Sequence, residues 1–203
     1  MTLGPSNIGY TKEAPDLLKR YESFSGDQVH AHWRALFPAP PGRVLDIGAG
    51  TGRDAAWFAS LGYDVLAVEP TDALRDGAQA LHPEPEITWL DDRLPDLPHV
   101  VAGNQTYDMV MMNAVWMHLT ADERAHGLSV IAALMNPGSR LFMSQRHGPI
   151  PEGRRMFDVT GEETITRGAE LNLSVLFHQR SGSILGENRK RGVEWTCLVF
   201  EKT

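Results

Sequence analysis

The chain has 203 residues, of which 42% are hydrophobic and 22% charged, enough apolar material for one packed domain with a short appendage and too much for a disordered chain. Nineteen Lys and Arg stand against 26 Asp and Glu, a net charge of −7, which argues against sequence-independent binding to nucleic acid or to an anionic membrane. The single cysteine, Cys197, excludes an intrachain disulfide and a cysteine-rich zinc site, and its apolar surroundings suit a packed thiol.

The opening Met1-Thr2-Leu3-Gly4-Pro5-Ser6 lacks the basic-then-apolar order of a signal peptide. No run reaches the ~18 apolar residues of a membrane span, so a cytoplasmic protein is expected. Residues 1–42 read as a separate N-terminal helical element: stretches 15–24 and 27–37 are divided by Ser25-Gly26 and closed by Pro38, Pro40 and Pro41. Such a pair either caps the carboxyl end of a sheet as a lid or covers an apolar face. From 43 to 203 short apolar runs alternate with helix-like segments, the pattern of a parallel sheet covered on both faces. Strands are predicted over 43–47, 64–69, 86–90, 107–113, 140–145, 173–179 and 194–201. Helices are predicted over 52–61 and 72–81, from the Thr120/Glu123 capping pair to Leu134, and from Thr160/Glu163 to Glu170. Gly182-Ser183 and Gly186-Glu187-Asn188 are turn material, so the last two strands should be antiparallel. The expected fold is α/β: a Rossmann-like, seven-stranded, mostly parallel sheet with helices on both faces and an antiparallel C-terminal strand.

The most informative segment is Val44-Leu45-Asp46-Ile47-Gly48-Ala49-Gly50-Thr51-Gly52-Arg53. A buried strand enters a glycine turn that opens a helix, where backbone can approach a ligand and helix N–H groups lie unpaired. A dinucleotide site wants Gly-x-Gly-x-x-Gly; here Arg53 occupies the third glycine position and Asp46 precedes the loop. A carboxylate there repels a pyrophosphate and suits a ligand carrying positive charge. The second strand ends at Glu69, placed to accept two ribose hydroxyls. The third ends at Asp91-Asp92, where a carboxylate can accept from an adenine amine, and the fourth at Asn113, which can meet an ammonium.

With these residues in view the chain resembles the class I S-adenosylmethionine-dependent methyltransferases. Tyr107-Asp108-Met109-Val110 with Trp116-Met117-His118-Leu119 is similar to that family's fourth-strand motif, and Leu134 to Leu141, with Asn136-Pro137-Gly138 inside it, to its motif before strand five. The resemblance implies S-adenosyl-L-methionine as cofactor, held by backbone at Gly48, Ala49, Gly50 and Gly52 and by the acid Asp46. It also implies ribose contact at Glu69, adenine packing on Pro70, edge contacts from Asp92 and Arg93, and an amino-acid contact at Asn113. Arg53 resembles small-molecule and tellurite-type members, where it would reach the cofactor carboxylate.

The acceptor site is less defined. His147, after strand five, is the candidate base, against the plainer reading of a loop histidine satisfied by backbone; His118 reads as helix-entry packing. Arg146, with Arg154 and Arg155, offers either an anion site or a solvated loop. Trp116 is a candidate pocket wall, whereas Trp57, Trp89 and Trp195 suit a core. Arg189-Lys190-Arg191 reads as a solvated turn. His30 and His32 have the wrong spacing to share a helix face, so no metal is expected. The expected function is methyl transfer to a small-molecule acceptor. A non-catalytic cofactor-binding module and a nicotinamide oxidoreductase are the alternatives, the latter disfavoured by Arg53 and Asp46; oligomeric state stays open.

Overall fold

Runs such as Val44-Leu45 and Met109-Val110-Met111-Met112 are apolar at every position because both faces of their strands are covered. The structure, a computed structural model, describes residues 6–203; residues 1–5 of the expected N-terminal element and of the segment read for a signal lie outside the described residues. Seven strands form one sheet: β1 Arg43–Ile47, β2 Asp64–Val68, β3 Ile87–Leu90, β4 Tyr107–Asn113, β5 Met135–His147, β6 Leu173–Gly182 and β7 Glu194–Lys202. Their order is β3-β2-β1-β4-β5-β7-β6. All neighbours are parallel from β3 to β5, while β7 runs antiparallel between β5 and β6. This is the expected Rossmann-like α/β architecture, with the chain reversing direction across the sheet between β1 and β4.

Alternate residues divide between two cores. Leu45, Val110, Met112, Leu141, Met143 and Phe200 pack under α6 Ala121–Ala133 and α7 Gly161–Ala169. Val44, Met109, Met111, Phe142 and Val199 pack on the opposite face against α3 Arg53–Ser60 and the N-terminal aromatic residues. The remaining helices are α1 Tyr10–Tyr21, α2 Gly26–His30, α4 Asp72–Leu81, α5 Pro98–Ala102 and α8 Gly186–Lys190. Thr120 and Glu123 form the capping box that opens α6, and Thr160 caps α7.

The differences from expectation have local causes. Helix α1 begins at Tyr10 and carries Pro15 inside it. Its first turn is tied down from outside, by Asn7 to Thr71 and by Tyr10 to His118. The predicted helix over 27–37 breaks after His30 into a 3-10 turn at Arg34–Leu36, as the chain turns Trp33 and Phe37 onto Phe142, at ring separations of 5.7 and 4.8 Å. Strand β5 starts as soon as α6 ends, with a register shift where residues 136–139 bulge around Gly138 (φ 87°). The expected turn near 186–188 is the short helix α8, and α5 had no periodic signal at all.

Three elements meet at Glu22, the C-cap of α1. Thr51 Oγ1 of the β1–α3 loop donates to Glu22 Oε1 at 2.5 Å, and His82 Nε2, at the C-cap of α4, lies 3.3 Å from Oε2. The hydrogen bond with Glu22 lifts His82 above its ordinary value against the effect of burial. Burial pushes Glu22 up, but His82 and Thr51 outweigh it and leave the carboxyl below its ordinary value. The His82 contribution is therefore complete below pH 6.5 and lost as pH rises through the raised value, while the Glu22 contribution is complete above pH 4.5 and lost on acidification. The difference in thermal midpoint between wild type and Glu22→Gln should be largest between those two values and shrink on both sides; a difference independent of pH would contradict the ion pair.

Candidate functional site

The carboxyl ends of β1, β2, β4 and β5 open into one cavity of about 900 Å³, walled on its far side by α1. It lies where the strand order reverses, the position at which open α/β sheets receive ligands. The glycine turn is shaped to leave room there. Gly48 N and Ala49 N both donate to the Val68 carbonyl, at 2.8 and 3.0 Å, and Gly50 N donates to Glu69 Oε2 at 2.9 Å. Gly48 and Gly50 have φ of 73° and 60°. A Cβ on Gly48 would stand 2.5 Å from Val115, whereas one on Gly50 would meet nothing nearer than the Gly48 carbonyl at 3.9 Å. Gly50 thus borders open cavity, and Gly48 is pressed against its wall.

Four almost wholly buried carboxylates line the cavity: Asp46, Asp54 and Glu69 at the glycine turn, at 2%, 5% and 5% exposure, and Asp92 beyond β3, at 4%. Asp54 is saturated. Trp33 Nε1 donates to His30 Nδ1 at 2.9 Å, which fixes the proton on Nε2, 3.1 Å from Asp54 Oδ1. Arg53 Nε donates to the same oxygen at 2.8 Å, and Asn113 Nδ2 to Oδ2 at 3.0 Å. Burial raises Asp54, but His30, Arg53 and Asn113 prevail and hold it well below the usual carboxylate range. Asp46 is the opposite case: its Oδ2 is buried with no hydrogen-bond partner. Burial first, then the charges of Asp54 and Glu69, push Asp46 well above its ordinary value despite Arg53. Glu69 is also raised by burial, although Thr71 and Gly50 counter with hydrogen bonds. An unpartnered buried carboxylate facing a cavity beside two others is a place where a cation would be stabilised.

The remaining predicted residues divide by geometry. Ala49, Arg53, Pro70, Asp92, Arg93, Asn113 and Arg146 all line the cavity. Asp92 also has a local task, since its carboxylate accepts from the backbone N–H of Arg93, His99 and Val100 at 2.8–2.9 Å and so holds the turn into α5. Gly52 is displaced from the cavity: its Cβ would strike Trp89 and His82 at 2.8 and 2.9 Å, so it serves packing of α3.

His147 and Trp116 require correction as cavity residues. Ser144 and Arg146 of β5 line the cavity, and the pleat turns Gln145 and His147 to the other face, where His147 Nε2 lies 2.8 Å from Thr196 Oγ1. Trp116 belongs to the core beneath α7, its Nε1 donating to Thr164 at 3.2 Å. Arg154 and Arg155 are neither solvated nor open to an anion, being paired with Glu13 and Glu123. Cys197 borders the cavity, but burial pushes its thiol up to about 12. Arg191, expected in a solvated turn, lies at the cavity edge. Among the described residues no group of three His, Cys, Asp or Glu is arranged to hold a metal ion, and no helix is long and apolar enough to cross a membrane.

Among the lining residues that escaped sequence reasoning are Asp54 and Tyr10. Asp54 follows Arg53 in the first turn of α3 and looks like an ordinary helix-start acid. Tyr10 lies upstream of where α1 was expected to begin. His118 was read as packing, and the structure places it on the cavity wall.

Residues 44–138 match a family described as a methyltransferase domain. An uncharacterized methyltransferase of Mycobacterium tuberculosis is 29% identical over 106 residues, 52% of this chain and 40% of that relative. A demethylmenaquinone methyltransferase of Clavibacter sepedonicus is 26% identical over 68% of this chain and 56% of its own length. The chain therefore spans about half the length of these curated relatives. The fold is similar to that of 1,6-didemethyltoxoflavin-N1-methyltransferase from Burkholderia thailandensis, solved with bound 1,6-didemethyltoxoflavin and S-adenosylhomocysteine, with a TM-score of 0.67, 22% identity, and 100% of this chain and 92% of that one covered.

Burial and the charges of Asp54 and Glu69 oppose ionisation of the Asp46 carboxyl. Asp46→Asn cannot ionise, so in urea unfolding its stability should gain on that of wild type as pH rises. A difference independent of pH would show that Asp46 is compensated.

Proposed function

We propose, from the premise that this chain belongs to the class I S-adenosylmethionine-dependent methyltransferases, that it transfers a methyl group in the cytoplasm to a small-molecule acceptor bound in the cavity under α1 and α2. The carrying observation is the Asp46 oxygen, buried and unpartnered at the edge of the glycine turn. A dinucleotide would bring a pyrophosphate to that carboxylate, whereas a cofactor with a cationic sulfur and an ammonium brings the charge it lacks.

The residues present fit S-adenosylmethionine. Gly48 to Gly50 would face its amino-acid part with backbone, Asn113 and Arg53 would meet its ammonium and carboxylate, and Asp46 would balance its charge. Glu69 would accept from the ribose hydroxyls. Its two oxygens each take one backbone N–H, from Gly50 and Thr71 at 2.9 and 2.8 Å, which orients the carboxylate toward the cavity edge. Pro70, Asp92 and Arg93 would border the adenine. The bound cofactor supplies an activated methyl on a sulfonium, so the chain's own work is orientation and exclusion of water. Fixing two reactants in line can remove up to ~7–11 kcal/mol of the barrier.

In this reading α1 and α2 act as a lid. His30 of α2 reaches Asp54, Tyr10 and Glu13 of α1 border the cavity, and the Arg53 guanidinium donates to the Tyr21 carbonyl at 3.3 Å. The acceptor's small size is supported by the volume enclosed and by the small-molecule substrate named for the toxoflavin enzyme.

Calorimetry with S-adenosylhomocysteine should give a saturable heat, and NAD none. Gly50→Val places a branched side chain in the open edge of the turn at positive φ, and Asp46→Ala removes the balancing carboxylate; each should weaken binding at least tenfold in a folded protein, about 1.4 kcal/mol. Unchanged affinity in both would refute the site. Labelled S-adenosylmethionine with a panel of phenols, amines, thiols and carboxylates tests transfer itself, and binding without turnover would favour a sensor module.

A further inference from the structure

On the cavity wall away from the glycine-turn carboxylates, Tyr10 Oη lies 3.0 Å from His118 Nε2, and His118 Nδ1 lies 2.6 Å from the Arg155 carbonyl oxygen. A carbonyl only accepts, so Nδ1 carries the ring proton and the neutral Nε2 is left to accept from the Tyr10 hydroxyl. The arrangement is braced from behind. Arg155 donates from Nε to the His118 carbonyl at 2.9 Å and from its terminal nitrogen to Glu123 at 2.5 Å, which ties the carbonyl-bearing loop to α6. The Arg154 guanidinium stacks 3.4 Å from the Tyr10 ring centroid and is itself held by Glu13 at 2.7 and 3.2 Å. Tyr10, His118 and Arg146 border the same cavity. Arg146 gives one N–H to the Pro149 carbonyl and has no carboxylate partner among the described residues.

A tyrosine placed only for packing needs one acceptor, and any backbone carbonyl would do. Here it is given the basic nitrogen of an imidazole whose tautomer is fixed by a second bond. We propose that Tyr10 and His118 form a proton relay for an acceptor bearing a weakly acidic hydroxyl, a phenol or an enol, whose ionised oxygen rests against Arg146. The proposal deepens, and rests on, the reading of the cavity as a methyl-transfer site.

The step balances within the chain. The acceptor O–H proton passes to Tyr10 Oη as the Tyr10 proton passes to His118 Nε2, and the imidazolium keeps its Nδ1–H on the Arg155 carbonyl. The freed oxygen lone pair forms the bond to the methyl carbon, the electron pair of the sulfur–methyl bond returns to sulfur, and the imidazolium releases its proton to solvent as products leave. Tyr10 is then the catalytic residue, and His118 a positioning residue that acts through it. The groups facing the pair keep both in the required resting forms. Burial, with Arg154, Arg155 and Arg146, lowers His118 against the Arg155 carbonyl, so the ring is neutral near pH 7. Burial, with Tyr21, Glu69 and Glu13, raises Tyr10 against Arg154, so its hydroxyl stays protonated. A thiolate or an aromatic amine, which presents a lone pair unaided, has no use for such a pair.

The test uses 4-nitrophenol, whose phenolate is coloured, bound to the full chain saturated with S-adenosylhomocysteine and titrated through neutrality. In the wild type the bound probe should ionise about tenfold more readily than in solution, a shift of about one pKa unit. Tyr10→Phe and His118→Gln should each abolish the shift while the heat of S-adenosylhomocysteine binding is unchanged. An unshifted wild-type probe, a shift that survives in either variant, or failure of the probe to bind beside S-adenosylhomocysteine overturns the relay. A variant that loses S-adenosylhomocysteine affinity also overturns it, by assigning the pair to cofactor binding. Absence of that heat in the wild type instead sinks the cofactor site itself.

Discussion

The interaction on which the site depends is the saturation of Asp54. One carboxylate at the start of α3 collects an imidazole from α2, a guanidinium from its own helix and an amide from the tip of β4. Each contact comes from a different part of the chain. The network continues through Asn113 Oδ1, which accepts from Ser144 of β5 at 2.6 Å, and outward through His30 to Trp33. A buried charge tolerates so dry a position only when several donors surround it. Helix α2, the start of α3 and two strand tips are thereby held in one relative position.

That arrangement opposes ionisation of its neighbour. With Asp54 ionised and satisfied, Asp46 faces a negative field and lacks a hydrogen bond for Oδ2. A cationic ligand would relieve that opposition, the usual relation between stability lost and function gained at a binding site. The two walls of the cavity differ accordingly. The glycine-turn wall has Asp46, Asp54 and Glu69, and suits positive charge. The wall built by α1, the end of β4 and the end of β5 has Tyr10, His118 and Arg146, and suits an oxygen acid.

The N-terminal helices belong to this division of labour. The apolar contacts of α1 are modest, with Ala14 and Leu17 packed on Leu74 of α4, whereas α2 is anchored more deeply, its His30 buried against Trp33, Trp57 and Phe58. Their polar contacts reach the functional wall at Thr71, Thr51, Asp54 and His118. An element bound, as α1 is, by polar contacts and a small apolar seam is of the kind that opens locally at low free-energy cost, which suits admission of a ligand to an enclosed cavity.

The sequence by itself determined which segments become strands, where the glycine turn falls, and which strand tips carry Glu69, Asp92 and Asn113. These follow from local rules: continuous apolar runs mark strands buried on both faces, and turn residues mark their ends. It also specified the capping box at Thr120 and the N-cap at Thr160, whose partners lie three residues away. Only the tertiary structure decided which side of β5 faces the cavity. That is a matter of pleat parity, and one residue separates Arg146 inside from His147 outside. Nor could spacing reveal that Tyr10 would meet His118 across 108 positions of chain, or that Asp54 would gather donors from α2 and β4. Those contacts exist because helices pack on a sheet at distances fixed by their cores, and no local pattern of residues encodes the partner on the far side.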